Sequence, residues 1–279
     1  MSLHRFERRL AAAPGHLVTF HVLGDPTPQL SLRLALAAVD AGASMLELGL
    51  PFSDPCADGP ALQASSARAL ANGTSTEGAL EVLRQVHTAR PDVPLNLLVY
   101  ANLVHARGED AFCRALAEAG ASTLLVPDLP HEQSGGLAAA CRAHGLGLAQ
   151  LAGPATSDER LAALDGAADA YLYYAGHQGV TGGEVDPVRD RVAAVVEAAR
   201  HPVCVGFGLS RPEHVAAALG AGARMAVVGS HLARVLEEAL PGGDDACVAA
   251  MGRAVAELNR GVHGAASVPF LSQGASLTG

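Results

Sequence analysis

Apolar residues are gathered into eight short runs, at 17 to 24, 44 to 51, 95 to 101, 123 to 128, 147 to 153, 170 to 176, 202 to 208 and 225 to 231. Runs this short and nearly continuous predict strands covered on both faces, the condition of a parallel sheet. The longer mixed stretches between them predict helices. Leu32, Leu36 and Val39 fall on one helical stripe, and Thr74 with Glu77, Thr156 with Glu159 and Ser210 with Glu213 have the spacing of a reciprocal capping box. A helix end, an Ala-Gly-Ala and a strand recur as AGASMLELG (41–49), AGASTLLVPD (119–128) and AGARMAVVGS (221–230). The glycine suits a left-handed helix cap, so the echo marks repeated strand-helix units. Alternating strands and helices form a barrel or an open doubly wound sheet, and eight repeats favour a (β/α)8 barrel with an extra N-terminal helix.

Composition agrees with one unit. The chain has 279 residues, 49% of them apolar, enough to bury one large core. The barrel is expected over 1–263, and 264–279, which loses periodicity, is expected to be a flexible tail. No run of uncharged apolar residues reaches membrane-spanning length, and the opening MSLHRFERRL lacks a signal-peptide core, so a soluble cytoplasmic protein is expected. The five cysteines are scattered without a CxxC spacing, which points to neither disulfides nor zinc. Cys56 has no basic neighbour to activate it and reads as a space filler. The twelve histidines form no HxH or HExxH, which argues against a metal-dependent barrel enzyme. A net charge of −9, no Lys/Arg run and no tryptophan argue against a nucleic-acid surface. Any anionic ligand must therefore be held locally.

In such barrels the reacting groups lie at the C-terminal ends of strands. In the second run, Glu47 stands among Met45, Leu46, Leu48 and Leu50. Alternation places it opposite the leucines, so if these meet the helices, Glu47 points into the barrel. Burial there would raise its pKa towards that of a general acid/base at neutral pH, although a buried ion pair would place a glutamate there equally well. The following loop, PFSDPCADGP (51–60), is stiffened by prolines and carries Asp54 and Asp58, either of which could aim at a substrate or merely cap a turn. Local rules leave that choice open. GVTGG (179–183), GFGLS (206–210) and VGSH (228–231) end or follow the last three strands, where glycine-rich backbone and a helix N-terminus can hold a phosphate.

Taken in order, LELGLPFSDPCADGP (46–60), VYANLV (99–104), VPDLP (126–130), GVTG (179–182), GFGLS (206–210) and VGS (228–230) resemble the α subunit of tryptophan synthase across residues 17–239. The long ELGxPFSDPxADGP stretch is the specific part of this match. The resemblance implies retro-aldol cleavage of indole-3-glycerol phosphate to indole and glyceraldehyde 3-phosphate, without a cofactor. It implies that Glu47 moves protons, that Asp58 rather than Asp54 steadies the charge on the indole nitrogen, and that Tyr173 lies beside the glutamate. It also implies that Phe20, Leu98 and Tyr100 line the indole pocket and that Thr181, Gly182, Phe207, Gly208, Gly229 and Ser230 contact substrate, the glycines and the serine at its phosphate. Residues 177–188 would form a lid. A pyridoxal-phosphate β subunit would dock on loop 51–60 and on Asn102 to Gly108 in an α2β2 complex. Val22 stands where threonine is common, Gly176 where serine is common, and His177 where Arg or Leu is frequent. These departures leave open a stand-alone lyase, or one acting on a related indole-glycerol phosphate. A non-catalytic regulatory partner would keep the fold, but intact Glu47 and Asp58 argue against it.

Overall fold

A computed structural model describes residues 2–176, 186–206 and 208–265. Nine parallel strand segments form one sheet: β1 (His16–Val22), β2 (Met45–Gly49), β3 (Leu95–Leu98), β4 (Thr123–Leu125), β5 (Gly147–Leu148), β6 (Gln150–Ala152), β7 (Leu172–Ala175), β8 (Val203–Gly206) and β9 (Met225–Val228). Their order is β5-β4-β3-β2-β1-β9-β8-β7-β6. The two ends of that order, β5 and β6, are consecutive pieces of the run predicted at 147–153. At their junction Ala149 N–H still donates to Leu124 on β4, whereas Gln150 N–H donates to Tyr171 just before β7. The chain thus changes partners within one strand and closes the sheet, so nine segments act as the eight staves of a (β/α)8 barrel.

Register separates the two faces. Leu46, Leu48, Leu95, Leu97, Val203, Val205, Ala226 and Val228 pack in the layer between sheet and helices. Val18, Phe20, Val22, Met45, Leu98, Leu125, Tyr171, Tyr173, Cys204, Met225 and Val227 fill the interior. Two apolar layers explain why the strands read as unbroken apolar runs rather than as alternating ones. The extra helix, Ser2–Ala11, plugs one end of the barrel, with Phe6 and Leu10 joining the interior cluster and the Phe6 ring 5.5 Å from that of Tyr171. Arg5, only 7% exposed, ties this plug down by donating to the carbonyls of Gly120 (2.8 Å) and Pro91 (3.1 Å) and to Ser122 Oγ (3.3 Å).

Four local expectations need correction. Helix Thr76–Ala89 is capped by Ser75, whose hydroxyl accepts from Gly78 N–H, and helix Asp158–Ala167 by Ser157, whose hydroxyl accepts from Arg160 N–H. Each start lies one residue after the capping box expected at Thr74 or Thr156. Thr74 instead donates to the Gly24 carbonyl, and Thr156 accepts from Gly153 N–H. Helix Pro212–Gly220 begins after Arg211 with no side-chain cap, so Ser210 is not its cap either. In helix Pro28–Asp40 the buried stripe is Leu30, Ser31, Leu34, Ala35 and Ala38. Leu32, Leu36 and Val39 are only half-buried, because the face turned to the barrel lies one to two positions away from them.

The last helix, Asp244–Ala265, runs past position 263, and 266–279 lie outside the described residues. All five cysteines carry free thiols. Among the described residues no helix is long and apolar enough to cross a membrane.

Candidate active site

Glu47 occupies the middle of β2, paired in register with Phe20 of β1 and Asn96 of β3. With Leu46, Leu48 and Leu50 in the outer layer, its side chain lies on the interior face, 1% exposed. Loss of water, reinforced by the negative charge of Asp58, pushes its pKa up to about 8. Glu47 is therefore mostly a neutral acid at pH 7.

Asp58 enters from the loop between β2 and helix Pro60–Ala71. That loop is held at several points: Asp58 N–H donates to Pro55 O (3.0 Å), Gln63 Nε2 donates to Asp58 O (2.8 Å), and Ala57 N–H donates to the Tyr100 hydroxyl (3.1 Å). Gly59, not Asp58, precedes the helix as its cap. The Asp58 carboxylate is thus free to accept a hydrogen bond from Tyr100, which favours its charged form. Partial burial outweighs that bond and raises its pKa to about 6. Tyr100, itself stacked on Phe52 with ring centroids 5.2 Å apart, stays protonated and so remains a donor. Asp54 is exposed and occupied by the Ser53 hydroxyl. Geometry thereby separates two aspartates that local sequence rules leave equivalent.

Tyr173 of β7 is 3% exposed, and its phenol is held protonated first by burial and then by the nearby Glu47 charge. It sits over Gly206, where a Cβ would lie 1.8 Å from the hydroxyl. Phe20, Leu98 and Tyr173 belong to one interior cluster, Phe20 being the register partner of Glu47, and Gly49 gives Phe20 its place, since a Cβ there would come within 2.8 Å of the ring. Val22 is buried in that cluster as plain apolar lining. Among the described residues a Cβ at Gly176 would meet only the Gly206 carbonyl oxygen, at an ordinary 3.8 Å, so the position has room for the side chain that the departure from serine removes.

At the ends of β8 and β9, Gly208 has φ +79° and Gly229 immediately precedes helix Ser230–Ala239. The first N–H groups of that helix have no partner within it, and with the positive end of the dipole such a helix start is able to hold an anion. Thr181, Gly182, Phe207 and His177 lie outside the described residues, as does most of the expected lid. Among the described residues no cluster of His, Cys, Asp and Glu could hold a metal ion. His21 bonds Thr19 Oγ1 at 2.9 Å and is driven down to about 4 by loss of water, which makes it a neutral packing group.

Sequence reasoning missed a row of buried polar groups beside Glu47. Asn96 pairs with Thr123 of β4, and Tyr171, next to the start of β7, faces Thr123 and Glu47. Asn96 in LNLL carried the same signal as Glu47 in LELG: one polar residue at an inward position of an apolar strand.

The model of the family "Tryptophan synthase alpha chain" matches residues 6–263. The tryptophan synthase alpha chain of Corynebacterium glutamicum is 39% identical over 235 residues, covering 83% of this chain and 84% of its own. That of Vibrio vulnificus is 39% identical over 238 residues, covering 84% and 89%. Among solved structures, tryptophan synthase subunit alpha from Legionella pneumophila superposes with a TM-score of 0.84 at 30% identity, covering 93% of this chain and 98% of its own. A chain of the tryptophan synthase a2b2 complex from Pyrococcus furiosus gives 0.82 at 33%, covering 88% and 98%. With a family model spanning nearly the whole barrel and relatives this similar over most of their length, the chain belongs to the tryptophan synthase alpha chain family.

Proposed function

We propose that the chain cleaves indole-3-glycerol phosphate to indole and glyceraldehyde 3-phosphate, with Glu47 as proton carrier and Asp58 as charge stabiliser. The observation that carries this assignment is the unlike setting of two carboxyls: Glu47, 1% exposed on the interior face of β2 and pushed up to about 8, and Asp58, on the loop that Tyr100 holds and raised only to about 6. Near pH 7 one is mostly acid and the other mostly anion, the pairing that lets one site protonate a ring and stabilise the resulting cation. Glu47 donates its proton to indole C3, and the positive charge that spreads to the ring N1–H is met by Asp58. The Glu47 carboxylate then takes the proton of the hydroxyl on the adjoining glycerol carbon. The bond from that carbon to C3 breaks, its electron pair returns to the ring, and the hydroxyl becomes the aldehyde. Glu47 ends protonated, as it began, and the indole ring serves as the only electron sink. Phe20, Leu98 and Tyr100 supply apolar walls for the ring, and the corner at Gly208, Gly229 and Ser230 takes the phosphate.

The family also supports a partner. A relative from Pyrococcus furiosus forms an a2b2 complex with mutual activation. The faces expected to meet a β subunit are open here: Ser53, Asp54 and Cys56 in loop 51–60, and Asn102, His105 and Arg107 on helix Ala101–Arg107. Pyridoxal phosphate would belong to that partner, and none of the steps above requires it.

Indole release from indole-3-glycerol phosphate, followed with and without a tryptophan synthase β subunit, tests this reading. Release in the wild type and a loss of about 10²-fold or more in Glu47→Gln and Asp58→Asn are expected. No release under either condition would overturn it.

A further inference from the structure

We propose that Asn96 is a positioning residue for Glu47, its side-chain carbonyl accepting the proton that the Glu47 carboxyl carries before substrate arrives. This rests on the reading of Glu47 as the acid. The two residues are register partners on adjacent parallel strands, on the same interior face, with strand axes about 4.8 Å apart. Glu47 is 1% and Asn96 2% exposed, and each presents a buried oxygen without a hydrogen-bond partner among the described residues: Oε2 of Glu47 and Oδ1 of Asn96. Two acceptors side by side away from water are costly, but a proton on Glu47 turns one of them into a donor and satisfies both.

The row continues on the other side of Asn96 with a group that can take the amide NH2. Its register partner on the other side is Thr123, fully buried, whose Oγ1 faces the Tyr171 hydroxyl. If the amide turns its NH2 to Thr123, its carbonyl faces Glu47. The Tyr171 hydroxyl, also buried and facing Thr123, closes the row. Such a chain polarises cooperatively and holds the neutral carboxyl in one orientation. The terminal torsion of a glutamate is soft, so the proton can swing from Asn96 to the open end of the barrel when indole C3 offers a better acceptor. The other titratable groups facing Glu47 are Asp58, Tyr171, Tyr173 and Cys204. Asp58 opposes ionisation of Glu47 by its charge, and the two phenols and the thiol are all held neutral.

The test is the titration of Glu47 in the substrate-free chain, read by carbon NMR of protein labelled in the glutamate carboxyl and assigned by the signal lost in Glu47→Gln. Asn96→Val and Asn96→Thr have the same shape and differ only in whether a hydroxyl, able to accept the carboxyl proton, remains. Val is expected to lower the Glu47 midpoint by about one pH unit, a tenfold change in its proton affinity, and Thr is expected to titrate between Val and wild type. If Asn96 acts only through packing and exclusion of water, the order reverses, because the more apolar Val would raise the midpoint above that of Thr. A reversed order or coincident midpoints would overturn the proposal. Thr123→Val frees the amide to turn its NH2 to Glu47 and is expected to lower the midpoint as well.

Should the position 96 variants not fold, the infrared difference between wild type and Glu47→Gln gives the answer on the unaltered chain. A carboxylic acid band at the frequency of a hydrogen-bond donor is expected, and a free-acid band would refute the pairing. Neither readout uses turnover, so a chain that shows the pairing but releases no indole would refute the reaction and leave the role of Asn96 standing.

Discussion

Each carboxyl of the site owes its protonation state to identifiable neighbours, and each neighbour can be removed. Tyr100 donates to Asp58 and favours its anion. Tyr100→Phe leaves the ring stacked on Phe52 but deletes that bond, so the acid limb of the rate profile, set by protonation of Asp58, is expected to rise by roughly one pH unit. An unmoved limb in a pH series of indole release would show that Tyr100 does not tune Asp58. Gly206 gives a steric test. Because a Cβ there would overlap the Tyr173 hydroxyl, Gly206→Ala is expected to displace the ring, cost about 1–3 kcal/mol in a denaturant melt and depress turnover. The Glu in LELG was legible because charge is rare on a doubly buried strand. The choice of Asp58 over Asp54 was not legible locally: it depends on Tyr100, which is distant in sequence and reaches the loop only once β2 and β3 are paired.

At the scale of elements, the strands were read nearly where they stand, since two apolar layers leave a strong mark on composition. Helix starts were read less well. Ser75 and Ser157 cap where Thr74 and Thr156 were expected, because hydroxyl residues are adjacent at both sites and the backbone turn decides which one faces the free N–H groups. Ser157→Ala is therefore expected to cost about 1 kcal/mol of unfolding free energy. An equal loss in Thr156→Ala alone would favour the earlier start. The break between β5 and β6 was also hidden. Nothing around Ala149 marks it, and it arises because one strand must serve two neighbours to complete the barrel.

For the whole molecule, the catalytic acid is bound up with the stability of the barrel. A carboxyl raised from its ordinary value to about 8 binds a proton more tightly folded than unfolded, so folding is favoured below the unfolded pKa and loses stability as pH rises towards 8. Glu47→Gln, which cannot ionise, should be more stable than wild type by roughly 5 kcal/mol at high pH and by much less near pH 5. A melt series in which the two differ by a constant amount would contradict a raised pKa. The N-terminal plug reaches the same interior from below. Phe6→Ala is expected to cost about 3–5 kcal/mol and to loosen Tyr171, which faces Glu47. The barrel was legible in the repeats and an extra N-terminal helix was expected, but that this helix plugs the barrel and sets Phe6 against Tyr171 was not legible, since it depends on residues far apart in sequence. The claim on which the account turns is that one carboxyl must be protonated and the other ionised. Its most direct measurement is the rate of indole release from indole-3-glycerol phosphate across pH, in wild type and Glu47→Gln. A bell with limbs near 6 and 8 in the wild type, and a loss of about 10²-fold or more in the variant, are expected. A rate that keeps rising above pH 8, or a variant that cleaves as fast as wild type, would contradict it.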